Sequence, residues 1–317
     1  MIGLEGTSDN VGLMNTRNAT PNRENLPGQE FRDRKGRGFA EFASSSGHPA
    51  RLVDRWLVRR TESTGSTNDD LDRAAQSGAP DRLVLVADHQ TAGRGRLDRK
   101  WEAPAGANLL VSILFRSVPD RPHRLTQAVA LAAVSACQTL CVKPQQGSSP
   151  DDIDVSLKWP NDIVVGSRKL AGILASASTS RIPRIVDDVE VAIPEHVVVG
   201  LGLNVGWAPD GAASLCEFRP DIHRDDVLLE LVTALDDLLE SCVTVRGSDE
   251  FHELYRRNLS TIGRSVRVEL PSGRVLEGRA LDVGADGRLE VLDTCAVTHR
   301  IDVADIVHLR FPEAPTS

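Results

Sequence analysis

A chain of 317 residues, 40% apolar and 26% charged, has the make-up of an ordinary globular protein and room for about two domains of ~150 residues each. Its 37 Lys and Arg against 45 Asp and Glu leave a formal charge of −8, which argues against a general nucleic-acid binder, although a local basic patch remains compatible with it. The five cysteines, Cys137, Cys141, Cys216, Cys242 and Cys295, include no CxxC pair, the eight histidines show no HxxxH or HxH spacing, and no GxSxG occurs; a disulfide framework, a metal centre and a serine hydrolase all lack their residues.

Residues 1–48 are polar and aperiodic and read as a disordered leader. The leader has neither a signal-peptide core nor the pattern of a winged helix, and its basic stretch Arg32–Arg37 reads as a solvated tail, so a cytoplasmic protein is expected. From Leu52 short apolar runs alternate with helical ones, the pattern of an α/β domain. Ser66-Thr67-Asn68-Asp69 marks a helix start, and that helix runs through Leu71, Ala74 and Ala75 to Gly78. Strands are predicted over Leu83–Val86, Leu109–Phe115, Val155–Trp159, Ile163–Val165, Leu170–Ala175 and Val197–Val205. Between them, Leu125–Val142 is a buried helix, too short and too interrupted by polar residues to cross a bilayer. Ser178–Val191 looks like an insertion between two core strands, with no role apparent. Helices follow over Val227–Val243 and Glu250–Asn258. At Gly263 the texture becomes alternating strands with turns at Pro271–Gly273 and Ala285–Gly287, giving a small β-barrel. The expected domains are thus 1–48, 49–262 and 263–317.

Three segments carry chemistry. Gln90–Trp101, QTAGRGRLDRKW, follows a strand; glycines at 93 and 95 free the backbone, while Arg94, Arg96, Arg99 and Lys100 supply four cations, so the loop is suited to fold over an anion. Lys158-Trp159-Pro160-Asn161-Asp162, with Arg168–Leu174 after a turn, clusters lysines, an Asn and an Asp at strand ends, where open α/β sheets bind ligands; a plain hairpin explains it equally well. Gly200-Leu201-Gly202-Leu203-Asn204 alternates glycine within an apolar strand, a sign of a bulge or of close approach by a ligand. Trp159 reads as core, and Asp162 reads equally well as a partner for a lysine.

In order, STN at 66, QTAGRGR near 93, KWPND near 160, KLAGIL near 172 and GLGLN near 202 resemble the biotin protein ligases over about residues 61–311. The resemblance implies an α/β (α+β) catalytic domain with a mixed sheet, like that of class II synthetases, and an SH3-like C-terminal barrel. It also implies that biotin and ATP, with Mg²⁺, give biotinyl-5′-AMP, and that biotin then passes to a lysine of a biotin carboxyl carrier domain of an acyl-CoA or pyruvate carboxylase. By the match of motif positions, Ser66, Thr67, Gln90, Arg94, Arg96, Lys169, Gly172 and Gly202 would hold biotin. Arg96, Arg99, Trp101, Lys158, Asn161 and Asn204 would hold ATP or the adenylate. Lys169, Arg94, Lys158 and Asp162 would serve the chemistry, and no protein metal site is implied. Asp98 stands where the family pattern has glycine, which bears on loop mobility and adenylate retention. The form expected is single-function, a monomer or weak homodimer with no membrane or nucleic-acid partner; a lipoate ligase or a biotin-sensing regulator is the alternative.

Overall fold

The computed structural model describes residues 55–96, 99–141, 153–186, 189–243, 247–270, 274–302 and 308–310. The leader at 1–48, its basic stretch and Asp98 lie outside the described residues, as does the side chain of Cys242.

A seven-stranded sheet forms the larger part. Its strands are β1 (Leu57–Thr64), β2 (Leu83–Gln90), β3 (Leu109–Phe115), β4 (Val155–Lys158), β5 (Asp162–Val165), β6 (Arg168–Ala177) and β9 (Val197–Leu203). They lie in the order β1-β2-β3-β9-β6-β5-β4. Only β1 and β2 run parallel; the other neighbours are antiparallel, so the sheet is mixed. β3 is buried along its whole length, which explains its nearly unbroken apolar sequence LLVSILF.

Helix α1 (Thr67–Gln76) carries Asp69 and Asp70 in its first turn, where the helix dipole favours negative charge, and buries Leu71 and Ala75. It gives way at Gly78, whose φ of 85° suits glycine at a helix end. Helix α2 (His123–Cys141) is buried around most of its circumference, as its alanine-rich run requires. It packs with α3 (Arg224–Val243) against the sheet, in a core that includes Val111, Ile113, Leu201, Leu228 and Leu231. Because side chains alternate along a strand, Ser112 points to the other face and meets α1. Among the described residues no helix is long and apolar enough to cross a membrane.

Helix α4 (Gly247–Arg257) leads to a five-stranded antiparallel sheet. Its strands are β10 (Ser265–Glu269), β11 (Val275–Val283), β12 (Leu289–Asp293), β13 (Thr298–Ile301) and β14 (His308–Arg310), in the order β13-β12-β11-β10-β14. Among the strands before the C-terminal sheet, two features were not predicted. β1 went unread because its LVRRTEST sequence lies at the sheet edge without a clear apolar alternation. The 178–191 insertion contains most of a two-stranded ribbon, β7 (Arg181–Val186) with β8 (Val189–Pro194), tied at Arg184 to the Val118 carbonyl by a 2.8 Å bond.

Candidate active site

On the α1 face, strand register aligns Leu110, Gly202, Gly172, Asp162 and Lys158 in one row across β3, β9, β6, β5 and β4. The two glycines leave space in the middle of this row, and charge gathers at its end. A cavity of about 340 Å³ opens there, and every site residue expected from the sequence borders it. Its size suits a small organic ligand.

Asp162 is the hub of the charged end. The Lys169 Nζ stands 2.6 Å from its carboxylate, and Lys158 is its cross-strand partner. Burial pushes the Lys158 ammonium below the ordinary lysine range; Asp162 opposes the shift and Lys169 adds to it. Arg96 is likewise lowered by burial, against the attraction of Asp162 and with repulsion from Arg99. Asp162 and Glu102 are outnumbered on the cavity border by six lysines and arginines, which leaves excess positive charge in a partly desolvated site and favours an anionic ligand.

The Gln90–Trp101 loop forms a flap, its two arms joined by an isolated bridge between Arg94 and Lys100 and a 2.7 Å bond from Gly95 N to Arg99 O. At Gly93 a Cβ would lie 2.5 Å from the Trp101 carbonyl oxygen, so only glycine fits there. Arg94 borders the cavity, but its guanidinium pairs with Asp69 in the first turn of α1, both side chains being half exposed. Such a pair contributes only about 0–1 kcal/mol, so an anion can displace Asp69 at small cost.

Trp101 occupies the space above the glycine row. A Cβ on Gly202 would come within 2.5 Å of its indole, and one on Gly172 within 3.1 Å. The Lys169 Nζ lies 5.5 Å from the ring centroid, and the indole N–H is buried without a partner. The alternation in GLGLN thus has two sources of close approach, Trp101 at Gly202 and the Asn68 carboxamide at Gly200. Asn161 Nδ2 donates to the Ile173 carbonyl at 2.8 Å. Asn204 is buried, with its amide between Asn108 and the Ala213 carbonyl, so much of its hydrogen-bonding capacity is spent on the wall itself.

The opposite end of the cavity is neutral and polar. Ser66 is the N-cap of α1 yet makes no side-chain capping bond, and it borders the cavity. The Thr67 backbone N–H donates to Gln90 Oε1 at 2.8 Å, tying α1 to the end of β2. Four residues around the site were not singled out as site residues: Asn68 and Ser112, linked to Thr67, Asp69, paired with Arg94, and Asn108, bonded to Asn204. Ser112 left a signal, a single hydroxyl in an otherwise apolar strand; Asp69 was hidden among helix-start acids. Trp159 is core, 2% exposed, its indole N–H donating to the Gly287 carbonyl at 3.1 Å and its backbone N–H to Thr261 Oγ1 at 3.0 Å.

Fold and cavity together are those of an α/β domain built around a site for a small anionic ligand. Residues 57–204 match the biotin/lipoate A/B protein ligase family, and residues 261–309 match the biotin protein ligase C-terminal domain. The chain is 39% identical over 260 residues to the biotin–[acetyl-CoA-carboxylase] ligase of Mycobacterium tuberculosis, covering 78% of this chain and 87% of the relative. It is 30% identical over 251 residues to the bifunctional ligase/repressor BirA of Bacillus subtilis, covering 76% and 70%. The fold is similar to a biotin protein ligase from Aquifex aeolicus, solved in complex with biotin and ATP, with a TM-score of 0.64, 23% identity and coverage of 81% and 99%. The chain belongs to the biotin protein ligase family.

Proposed function

We infer that this protein joins the carboxylate of biotin to ATP, forming biotinyl-5′-AMP, and then transfers biotin to a lysine of a carboxylase carrier domain. The observation that carries this reading is a single cavity with cations at one end and a hydroxyl–amide wall at the other. A carboxylate must approach a triphosphate against strong repulsion, and Lys158, Lys169 and Arg96 offset it, with Arg94 joining once it leaves Asp69.

In the first step a carboxylate oxygen of biotin bonds to the α-phosphorus and pyrophosphate leaves with the bonding pair. Lys169 stabilises the charge developing on the α-phosphate, and Lys158 neutralises the phosphates. In the second step the carrier's lysine amine attacks the acyl carbon and AMP departs. Asp162 orients that amine or takes up its proton. Arg99, Trp101, Asn161 and Asn204 meet the nucleotide and Ser66, Thr67, Gln90, Gly172 and Gly202 meet biotin, with Trp101, whose indole lies over Gly202 and Gly172, at the boundary between the two. Mg²⁺ enters with the nucleotide as MgATP. No group of three or more His, Cys, Asp or Glu able to cage a metal occurs among the described residues, and Mg²⁺ on a triphosphate needs few protein ligands.

We read residues 263–317 as an SH3-like barrel, supported by the five-stranded antiparallel order and the C-terminal family match. The hydroxyl–amide wall favours biotin over lipoate, whose dithiolane ring has no N–H or C=O to pair with it. Incubation with MgATP, a carrier domain and labelled biotin should label the carrier lysine; transfer of lipoate instead would overturn the reading. A test for operator binding addresses the regulator alternative.

A further inference from the structure

We propose that Ser112 and Asn68 are positioning residues that fix the direction of the Thr67 hydroxyl proton, so that the cavity presents an acceptor beside a donor and selects a ring with adjacent N–H and C=O. This deepens the ligase reading and rests on it.

The argument is a proton count. Four groups stand in a chain: Gln90 Oε1, Thr67 Oγ1 at 3.0 Å from it, Ser112 Oγ 2.6 Å further, and Asn68 Oδ1 2.5 Å beyond that. Both ends can only accept. Gln90 turns Oε1 inward because the Thr67 backbone N–H needs an acceptor, at 2.8 Å. Asn68 turns Oδ1 toward Ser112 because its Nδ2 donates to the Leu174 carbonyl at 2.9 Å. Three oxygen–oxygen gaps are therefore served by two hydroxyl protons. Oxygens with no proton between them repel, so the longest gap is the empty one. Ser112 donates to Asn68, Thr67 donates to Ser112, and the Thr67 oxygen is left as an acceptor only.

The chain is held from both sides. Ser112 is fully buried, and Gly200 alone permits the arrangement, since a Cβ there would stand 2.2 Å from Asn68 Oδ1. With Oε1 committed, Gln90 keeps Nε2 as a donor beside Gly93. Thr67 and Gln90 both border the cavity, so the wall offers one acceptor and one neighbouring donor, the complement of a single edge of a cyclic urea.

The test uses biotin and the two isomeric cyclic carbamates in which a ring oxygen replaces one or the other ureido N–H, read by ligand-dependent exchange of labelled pyrophosphate into ATP. The wild-type protein should discriminate between the isomers in kcat/KM by about 10- to 100-fold, because one of them sets a ring oxygen against a hydroxyl that cannot donate. In Ser112→Ala the Thr67 proton loses that acceptor and can turn either to Gln90 Oε1, 3.0 Å away, or to the ring oxygen of the ligand. The ratio should then fall by about threefold or more, while KM for biotin rises about tenfold and kcat changes much less. An unchanged ratio in Ser112→Ala would overturn the proposal, because packing loss alone lowers both isomers together. Equal use of the isomers by the wild-type protein would overturn it too, and that measurement stands whether or not the variant folds. Absence of any exchange with biotin itself overturns the ligase reading instead.

Discussion

Removing the Lys169 ammonium separates catalysis from stability. In Lys169→Met the stem beside the Trp101 ring and Gly172 is kept and only the charge is lost. The ion pair with Asp162 is 2.6 Å long, with side chains 41% and 26% exposed, so solvent screens it and its loss should cost about 1 kcal/mol or less. For a chain of this size that lowers the melting temperature by no more than about 2–4 °C. The same charge facing a reacting α-phosphate in a partly desolvated site is worth far more, about 2.7–4 kcal/mol, or 10²- to 10³-fold in rate. Biotin-dependent pyrophosphate exchange should therefore collapse in a protein that melts almost normally. Near-normal exchange in this variant would refute the role given to Lys169.

Three further outcomes are expected. The Lys158 ammonium, lowered chiefly by burial, works in its protonated form, so adenylation should fall with rising pH earlier than an ordinary lysine allows; Lys158→Arg should move that fall upward, which a pH profile of exchange measures. His123, half-buried beside Arg124, is lowered by desolvation to about 4, so between there and the ordinary value of about 6.5 the unfolded chain binds a proton that the folded one does not. Stability is then full above about pH 6.5 and falls as pH drops, by about 2 kcal/mol between pH 7.5 and 5; urea midpoints of His123→Gln should lose this slope. Trp159→Phe leaves the Gly287 carbonyl without its indole donor, so it should cost about 1–3 kcal/mol in urea unfolding, and it should weaken exchange because Asn161 and Asp162 follow just after Pro160 at the same turn.

The central strands were legible because they are apolar, continuous and bounded by turn residues, and the flap because glycine and arginine alternate after a strand. β1 was not, since its edge position leaves a sequence of mixed polarity. Ser112 and Asn68 escaped for a different reason. A lone serine in a strand and an asparagine at a helix start both have local explanations, and only their approach through space reveals the hydrogen-bond chain. Asn204 adds a related case: the sequence marks it for recognition, and only the structure shows that its amide is also anchored in the wall by Asn108 and Ala213.

The sequence by itself determined which chemical groups were present and in what order: four cations in one loop, a lysine on either side of an Asn-Asp pair, and glycines spaced two apart in a strand. Tertiary structure decided which of them meet. The row from Leu110 through Gly202, Gly172 and Asp162 to Lys158 exists because five strands settle in one register, and slipping any strand by one residue would turn its members to the other face. Register is set by backbone pairing between segments up to about a hundred residues apart in the chain, and no local pattern encodes that.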